Sequence, residues 1–125
     1  MYELSQRFFF DAAHTLHRDI EADGSRRIHG HTYHAEICIA GTPDSQTGMI
    51  VDLGVVQQAI ATLRLKLDHH LLDEVPGLGA PTLENLCTFI WGQLAPVVPG
   101  LACVIVERQA SGNRCVFRPG AARAG

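Results

Sequence analysis

The chain has no Cys-x-x-Cys: its four cysteines, Cys38, Cys87, Cys103 and Cys115, stand far apart, each inside an apolar segment. That spacing excludes a zinc knuckle or a thioredoxin-type pair, and the thiols read as small buried hydrophobes of a reducing compartment. An excess of one charge is also lacking, since 10 Lys and Arg oppose 13 Asp and Glu for a net of -3, and only Arg26 and Arg27 form a basic pair. Nucleic acid or an anionic membrane surface would call for a basic stripe, so neither partner is expected. Long hydrophobic runs are missing too. Stretches such as Leu101 to Val106 fall far short of the ~20 residues of a membrane span, and the N-terminus has neither the charged start nor the cleavage site of a signal peptide. A cytoplasmic protein is the expectation. There are no internal repeats.

What is there suffices for one compact domain: 125 residues, 46% of them hydrophobic, read as a single unit over 1–118, with an Ala/Gly/Arg-rich tail over 119–125 expected to be disordered. Tyr2 to Phe10, with its Phe8-Phe9-Phe10 run, predicts a strand. From His29 to Ala40 the alternation of Tyr33, Ala35, Ile37 and Ile39 with His34, Glu36 and Cys38 predicts a second strand with one face to the core. Met49-Ile50-Val51 reads as a short third strand, and Asp52 as the N-cap of a helix over about 53–67 carried by Val56, Ile60, Leu63 and Leu67. Thr82 caps a second helix that Pro96 stops. Leu101 to Glu107 and Arg114 to Phe117 are then strands of a hairpin turning at Ala110-Ser111-Gly112-Asn113. Adjacent strands with grouped helices argue for an α+β layer, an antiparallel sheet of about four strands with two helices on one face. Its open edges favour assembly into an oligomer.

The seven histidines are the oddity, because they fall in two clusters, between His14 and His34 and at His69-His70. In an extended chain His29 and His31 point to one side, and Gly30 lets the backbone approach closely. His14, at the end of the first strand, offers a third imidazole. Three neutral imidazoles with a fourth position open to water or substrate describe a catalytic zinc site. Taken alone, His-Gly-His also suits an ordinary strand surface. The polar stretch from His17 to Arg27, with Asp19, Glu21, Asp23 and Ser25, reads as a loop over this site. Asp68-His69 closes the first helix; it is either a solvated helix end or a carboxylate-oriented proton carrier.

Five ordered stretches carry a resemblance: Phe10-Asp11-Ala12-Ala13-His14, His29-Gly30-His31-Thr32-Tyr33, Thr47-Gly48-Met49-Ile50-Val51-Asp52, Leu67-Asp68-His69-His70-Leu71-Leu72 and Pro81-Thr82-Leu83-Glu84-Asn85. From about Met1 to Phe117 the chain resembles the 6-pyruvoyl- and 6-carboxy-tetrahydropterin synthase family. The resemblance implies a tunnelling-type T-fold, a homo-oligomer (a hexamer in the family) joined through sheet edges, active sites between subunits, and zinc on His14, His29 and His31. It implies a pterin substrate, 7,8-dihydroneopterin triphosphate, from which triphosphate is eliminated while the side chain is rearranged or cleaved. Asp68 and His69 would move protons, and Thr82 and Glu84 would contact substrate.

Two positions depart from the pattern. Where the bacterial branch has a catalytic Cys, four residues before His29, this chain has Ser25, whose hydroxyl has no accessible conjugate base near neutral pH. Some members use Glu instead, and others place the Cys six residues before the His, where Asp23 stands; Asp23 or Glu21 is then the candidate base. On the late strand an ungapped reading puts Arg108 where the family anchors the pterin with an acid. A bulge would turn Glu107 to that side, and Glu107 is the expected anchor. Without the usual base, the alternative is a homologue that binds zinc and pterin but lacks the lyase activity.

Overall fold

A computed structural model of the chain describes residues 1–16 and 27–120. Glu21, Asp23 and Ser25 lie outside the described residues, as does 121–125 of the expected tail. Four strands, β1 (Tyr2–His14), β2 (His29–Gly41), β3 (Leu101–Arg108) and β4 (Asn113–Phe117), form one antiparallel sheet in the order β1-β2-β3-β4. Between β2 and β3 the chain makes helix α1 (Leu53–Leu67), a short 3-10 turn at Leu72–Glu74 and helix α2 (Leu83–Leu94). The α+β layer expected from the sequence is the one observed.

Both helices begin where a side chain caps them. Asp52 accepts from the Gly54 N–H at 2.8 Å and Thr82 from the Asn85 N–H at 3.1 Å, each satisfying one of the free amides of the first turn. Val56, Ile60, Leu63 and Leu67 of α1 and Leu86, Cys87, Ile90 and Leu94 of α2 pack into one core with Phe10, Tyr33, Ala35, Ile37, Ile39, Val104 and Val106 of the sheet. Removing these side chains from water is the main force holding helices to sheet. The other sheet face carries a smaller apolar group of Cys38, Cys103 and Ile105. With both faces buried, β3 reads as a continuous apolar run rather than an alternating one.

Three boundaries differ from expectation. Met49-Ile50-Val51 is not a strand: both edges of β2 are taken by β1 and β3, so the ladder has no place beside them. That segment closes instead on the Asp44 turn, whose carboxylate accepts from the Gln46 and Thr47 N–H groups at 2.8 and 2.9 Å, while Ile50 and Val51 pack against the core. β1 runs four residues past Phe10, so that His14 is itself a strand residue paired with His29. The last hairpin turns at 109–112, with Gly112 at φ 76°, and Asn113 opens β4.

Candidate active site

Period-two alternation decides which side chains meet. Phe10, Ala12 and His14 share one face of β1, and through the register Phe10↔Tyr33, Ala12↔His31 and His14↔His29 they meet Tyr33, His31 and His29 of β2. The three imidazoles converge, with candidate ligand nitrogens all within 4.8 Å of one another and the His14 and His31 Nε2 atoms 3.0 Å apart. Two nitrogens each 2.0–2.1 Å from a tetrahedral ion would be separated by roughly 3.3 Å, so the spacing suits one small cation. The tautomers suit it as well. His14 Nδ1 donates to the Pro81 carbonyl at 3.0 Å and His29 Nδ1 to the Arg27 carbonyl at 2.7 Å, which leaves each Nε2 with a free lone pair. His14 is 1% exposed. Burial, with the neighbouring His29 and Arg108 charges, holds its pKa below the usual imidazole range, and burial plus His14, Arg108 and His29 lowers His31 to about 4. Both are therefore neutral, ligand-ready imidazoles at pH 7.

Asp68 and His69 leave α1 and dock on the free edge of β1. The Asp68 carboxylate accepts from the Asp11 N–H at 2.9 Å and from His69 Nδ1 at 2.9 Å, with Arg64 3.4 Å away. The His69 N–H donates to the Asp11 carbonyl at 2.6 Å, and the Ala13 N–H to the His70 carbonyl at 3.0 Å. Held between these bonds, His69 takes φ 61°, and among the described residues it is the one non-glycine with positive φ. Such a conformation in a non-glycine residue is held by its surroundings and is common at working sites. The Asp11 N–H bond, followed by His69 and Arg64, keeps the Asp68 carboxyl below its ordinary pKa. Because Nδ1 is committed to the carboxylate, the exposed His69 presents Nε2 outward as a proton acceptor.

His31 and His14 border two different hollows. One, of about 500 Å³, is lined by Asp11, Gly30, His31, Thr32 and His69; the other, of about 590 Å³, by His14, Tyr33, Thr82, Glu84 and Arg108. The structure thus brings His14, His29 and His31 together, sets Asp68-His69 beside His31, and sets Thr82 and Glu84 beside His14. Thr82 already spends its hydroxyl on the helix cap. Glu107 is not on the triad side. The irregularity between β2 and β3 falls at Cys38/Ile39, and pairing is continuous from Cys103 to Glu107, so no bulge reverses the alternation near Arg108. Glu107 accordingly follows Ile105 to the opposite face, beside Arg7, His34, Glu36 and Arg114, and its carboxylate accepts from Gln109 at 3.2 Å. Arg108 follows Val106 toward His14.

Sequence reasoning missed Asp73 and Tyr33. Asp73 accepts from the Thr15 N–H at 2.9 Å and from its hydroxyl at 2.5 Å, fixing the chain just after His14. No local pattern announces a bond across 58 residues. Tyr33 was visible as a core residue of β2, but not that its hydroxyl would end up near the triad.

The family model for 6-pyruvoyl tetrahydropterin synthase matches residues 3–119. A 6-carboxy-5,6,7,8-tetrahydropterin synthase from Synechocystis is 32% identical over 95% of both chains, and the human 6-pyruvoyl tetrahydrobiopterin synthase is 29% identical over 93% of this chain and 90% of its own. Among solved structures, the Caenorhabditis elegans 6-pyruvoyl tetrahydropterin synthase superposes with a TM-score of 0.81 at 23% identity, covering 94% of each chain. A Plasmodium vivax 6-pyruvoyltetrahydropterin synthase, solved as a variant with cysteine replacing a catalytic glutamate, superposes with a TM-score of 0.69 at 16% identity over 93% of this chain and 96% of its own.

Proposed function

We propose, from the premise that the chain belongs to the 6-pyruvoyl tetrahydropterin synthase family, that it is a zinc-dependent lyase acting on 7,8-dihydroneopterin triphosphate. The single observation that carries this reading is the cluster of His14, His29 and His31, with two ligands already locked by backbone carbonyls in the metal-binding tautomer. Zinc bound there supplies a Lewis acid for the hydroxyls and carbonyls of the substrate side chain. The chain's own residues do the rest. Asp68 holds the His69 Nδ1–H and stabilises the imidazolium, so His69 Nε2 takes up a proton and returns it as triphosphate leaves. An acid of the segment before His29, Asp23 or Glu21, takes the proton from carbon in place of the thiol that Ser25 does not provide. A glutamate is the catalytic residue of the Plasmodium vivax relative, which supports an acid in that role. The β1 and β4 edges, which lack a strand partner among the described residues, support a homo-oligomer; the hexamer, the cytoplasm and a queuosine- or biopterin-type pathway rest on the family resemblance alone.

Ser25 and the placement of Arg108 on the triad side favour a second reading, a zinc- and pterin-binding homologue without turnover. Incubating zinc-loaded protein with 7,8-dihydroneopterin triphosphate separates the two. Triphosphate release with a pterin product, whose mass names the 6-carboxy or 6-pyruvoyl branch, is expected. Tight binding without release contradicts the lyase and leaves the binding protein.

A further inference from the structure

Among the described residues, two buried side-chain polar atoms have no hydrogen-bond partner: the Tyr33 hydroxyl and Arg108 Nε. Both residues line the same hollow of about 590 Å³, together with His14. Tyr33 is 1% exposed, and its phenol, protonated near neutral pH as phenols ordinarily are, has a hydroxyl available as a donor. A buried donor left unpaired costs ~1–3 kcal/mol, which a ligand recovers by supplying an acceptor. Among the described residues Arg108 is nearly as unspent: its one side-chain hydrogen bond there is Nη2 donating to Asn113 Oδ1 at 3.4 Å, near the outer limit, and none of the ion pairs there includes it.

The remaining lining has the same polarity. Thr82 and Leu83 bring the N-terminus of the 12-residue α2, with its positive end, to the hollow. The one acid there, Glu84, is exposed in the first turn of α2. A guanidinium edge, a buried hydroxyl and a helix N-terminus beside three metal-ligand candidates form a donor-rich, positive cavity. The donor edge of a pterin ring, its amino and N–H groups, meets one carboxylate there, the exposed Glu84. The buried, unpaired groups match an oxyanion instead, since a carboxylate or phosphate takes two parallel bonds from Nε and Nη of one arginine.

We propose that Arg108 and the Tyr33 hydroxyl form a subsite for an oxyanion of the substrate in the hollow on the His14 side of the triad, and so determine which substrates the site accepts. The proposal rests on the pterin-synthase reading only in assigning that oxyanion to the molecule the triad also holds. It is tested by binding alone, so failure of turnover and failure of the subsite are separate results.

The test is calorimetric titration of metal-free, chelator-treated protein with inorganic triphosphate, pterin-6-carboxylate and the neutral neopterin. At least one anionic probe is expected to bind about tenfold or more tighter than neopterin, and which of them does so tells a phosphate source from a carboxylate source. Arg108→Gln should abolish that preference, Arg108→Lys should keep part of it, and Tyr33→Phe should weaken the preferred probe several-fold while leaving neopterin unchanged. Equal binding of all three probes to the wild-type protein overturns the proposal, and this comparison needs no variant to fold. A preference that survives Arg108→Gln overturns it as well.

Discussion

At the residue scale the site depends on which nitrogen and which oxygen are already occupied. Asp68 illustrates this, because one carboxylate oxygen accepts from the Asp11 N–H and the other from His69 Nδ1. Asp68→Asn retains an acceptor for the backbone but no longer stabilises a charged His69, so turnover should fall about 100-fold or more with little change in substrate binding, read as a kcat loss at constant KM. The same residue gives a pH dependence of stability. Its folded-state pKa is lowered, chiefly by the Asp11 N–H, so the unfolded chain binds the proton more readily; the stabilisation is present above the unfolded pKa near 3.8 and is lost as pH falls below it. Urea midpoints of wild type and Asp68→Asn should therefore differ at pH 6 and converge below about pH 4; a constant difference would contradict the assignment.

The triad was legible because His-Gly-His needs only strand alternation, and His14 only the strand pairing next to it. Glu107 against Arg108 was not legible. Neighbouring residues on a strand point to opposite faces, so the answer turned on whether a bulge intervened. The irregularity sits six residues earlier in β3, where Gly100-Leu101 meets the end of β2.

At the scale of elements, that junction carries a constraint of its own. Gly100 has φ 80°, accepts from the Ala40 N–H at 2.9 Å, and would place a Cβ 2.5 Å from the Ala40 carbonyl oxygen. Both the left-handed backbone and the close approach require glycine there. Gly100→Ala should cost at least ~1–3 kcal/mol in denaturant unfolding and loosen the β2–β3 pairing that aligns His31 and Arg108; an unchanged midpoint would mean the approach is not tight. The helices were read correctly because capping and a 3.6-residue apolar period are local signals. Met49-Ile50-Val51 was not, because a short apolar run becomes a strand only if a ladder edge within its reach is free, and beside it both edges of β2 are taken by residues far away in the chain. The docking of Asp68-His69 on β1 likewise crosses 57 residues and leaves no local trace.

For the whole molecule, the order β1-β2-β3-β4 leaves the outer edges of β1 and β4 without a strand partner among the described residues. β1 is 13 residues long and exposes Tyr2, Leu4 and Phe9, a combination that unassembled sheets avoid. Sedimentation velocity should find a species several times the 13.6 kDa chain mass; a monomer at micromolar concentration would contradict edge-to-edge assembly. The fold class was readable in advance, since grouped helices and adjacent strands admit few arrangements. The closure of those edges by further copies is a matter of surfaces, and the sequence marks it only as long strands.

The proposed lyase needs the three histidines to hold the zinc on which turnover depends. A zinc titration of chelator-treated protein, with bound metal and triphosphate release followed in parallel, checks this. Both should rise together and level off at about one equivalent per chain, and His31→Ala should lose about 100-fold or more in metal affinity and all detectable release. Release that persists in the metal-free protein, or full metal binding and release in His31→Ala, would contradict the account.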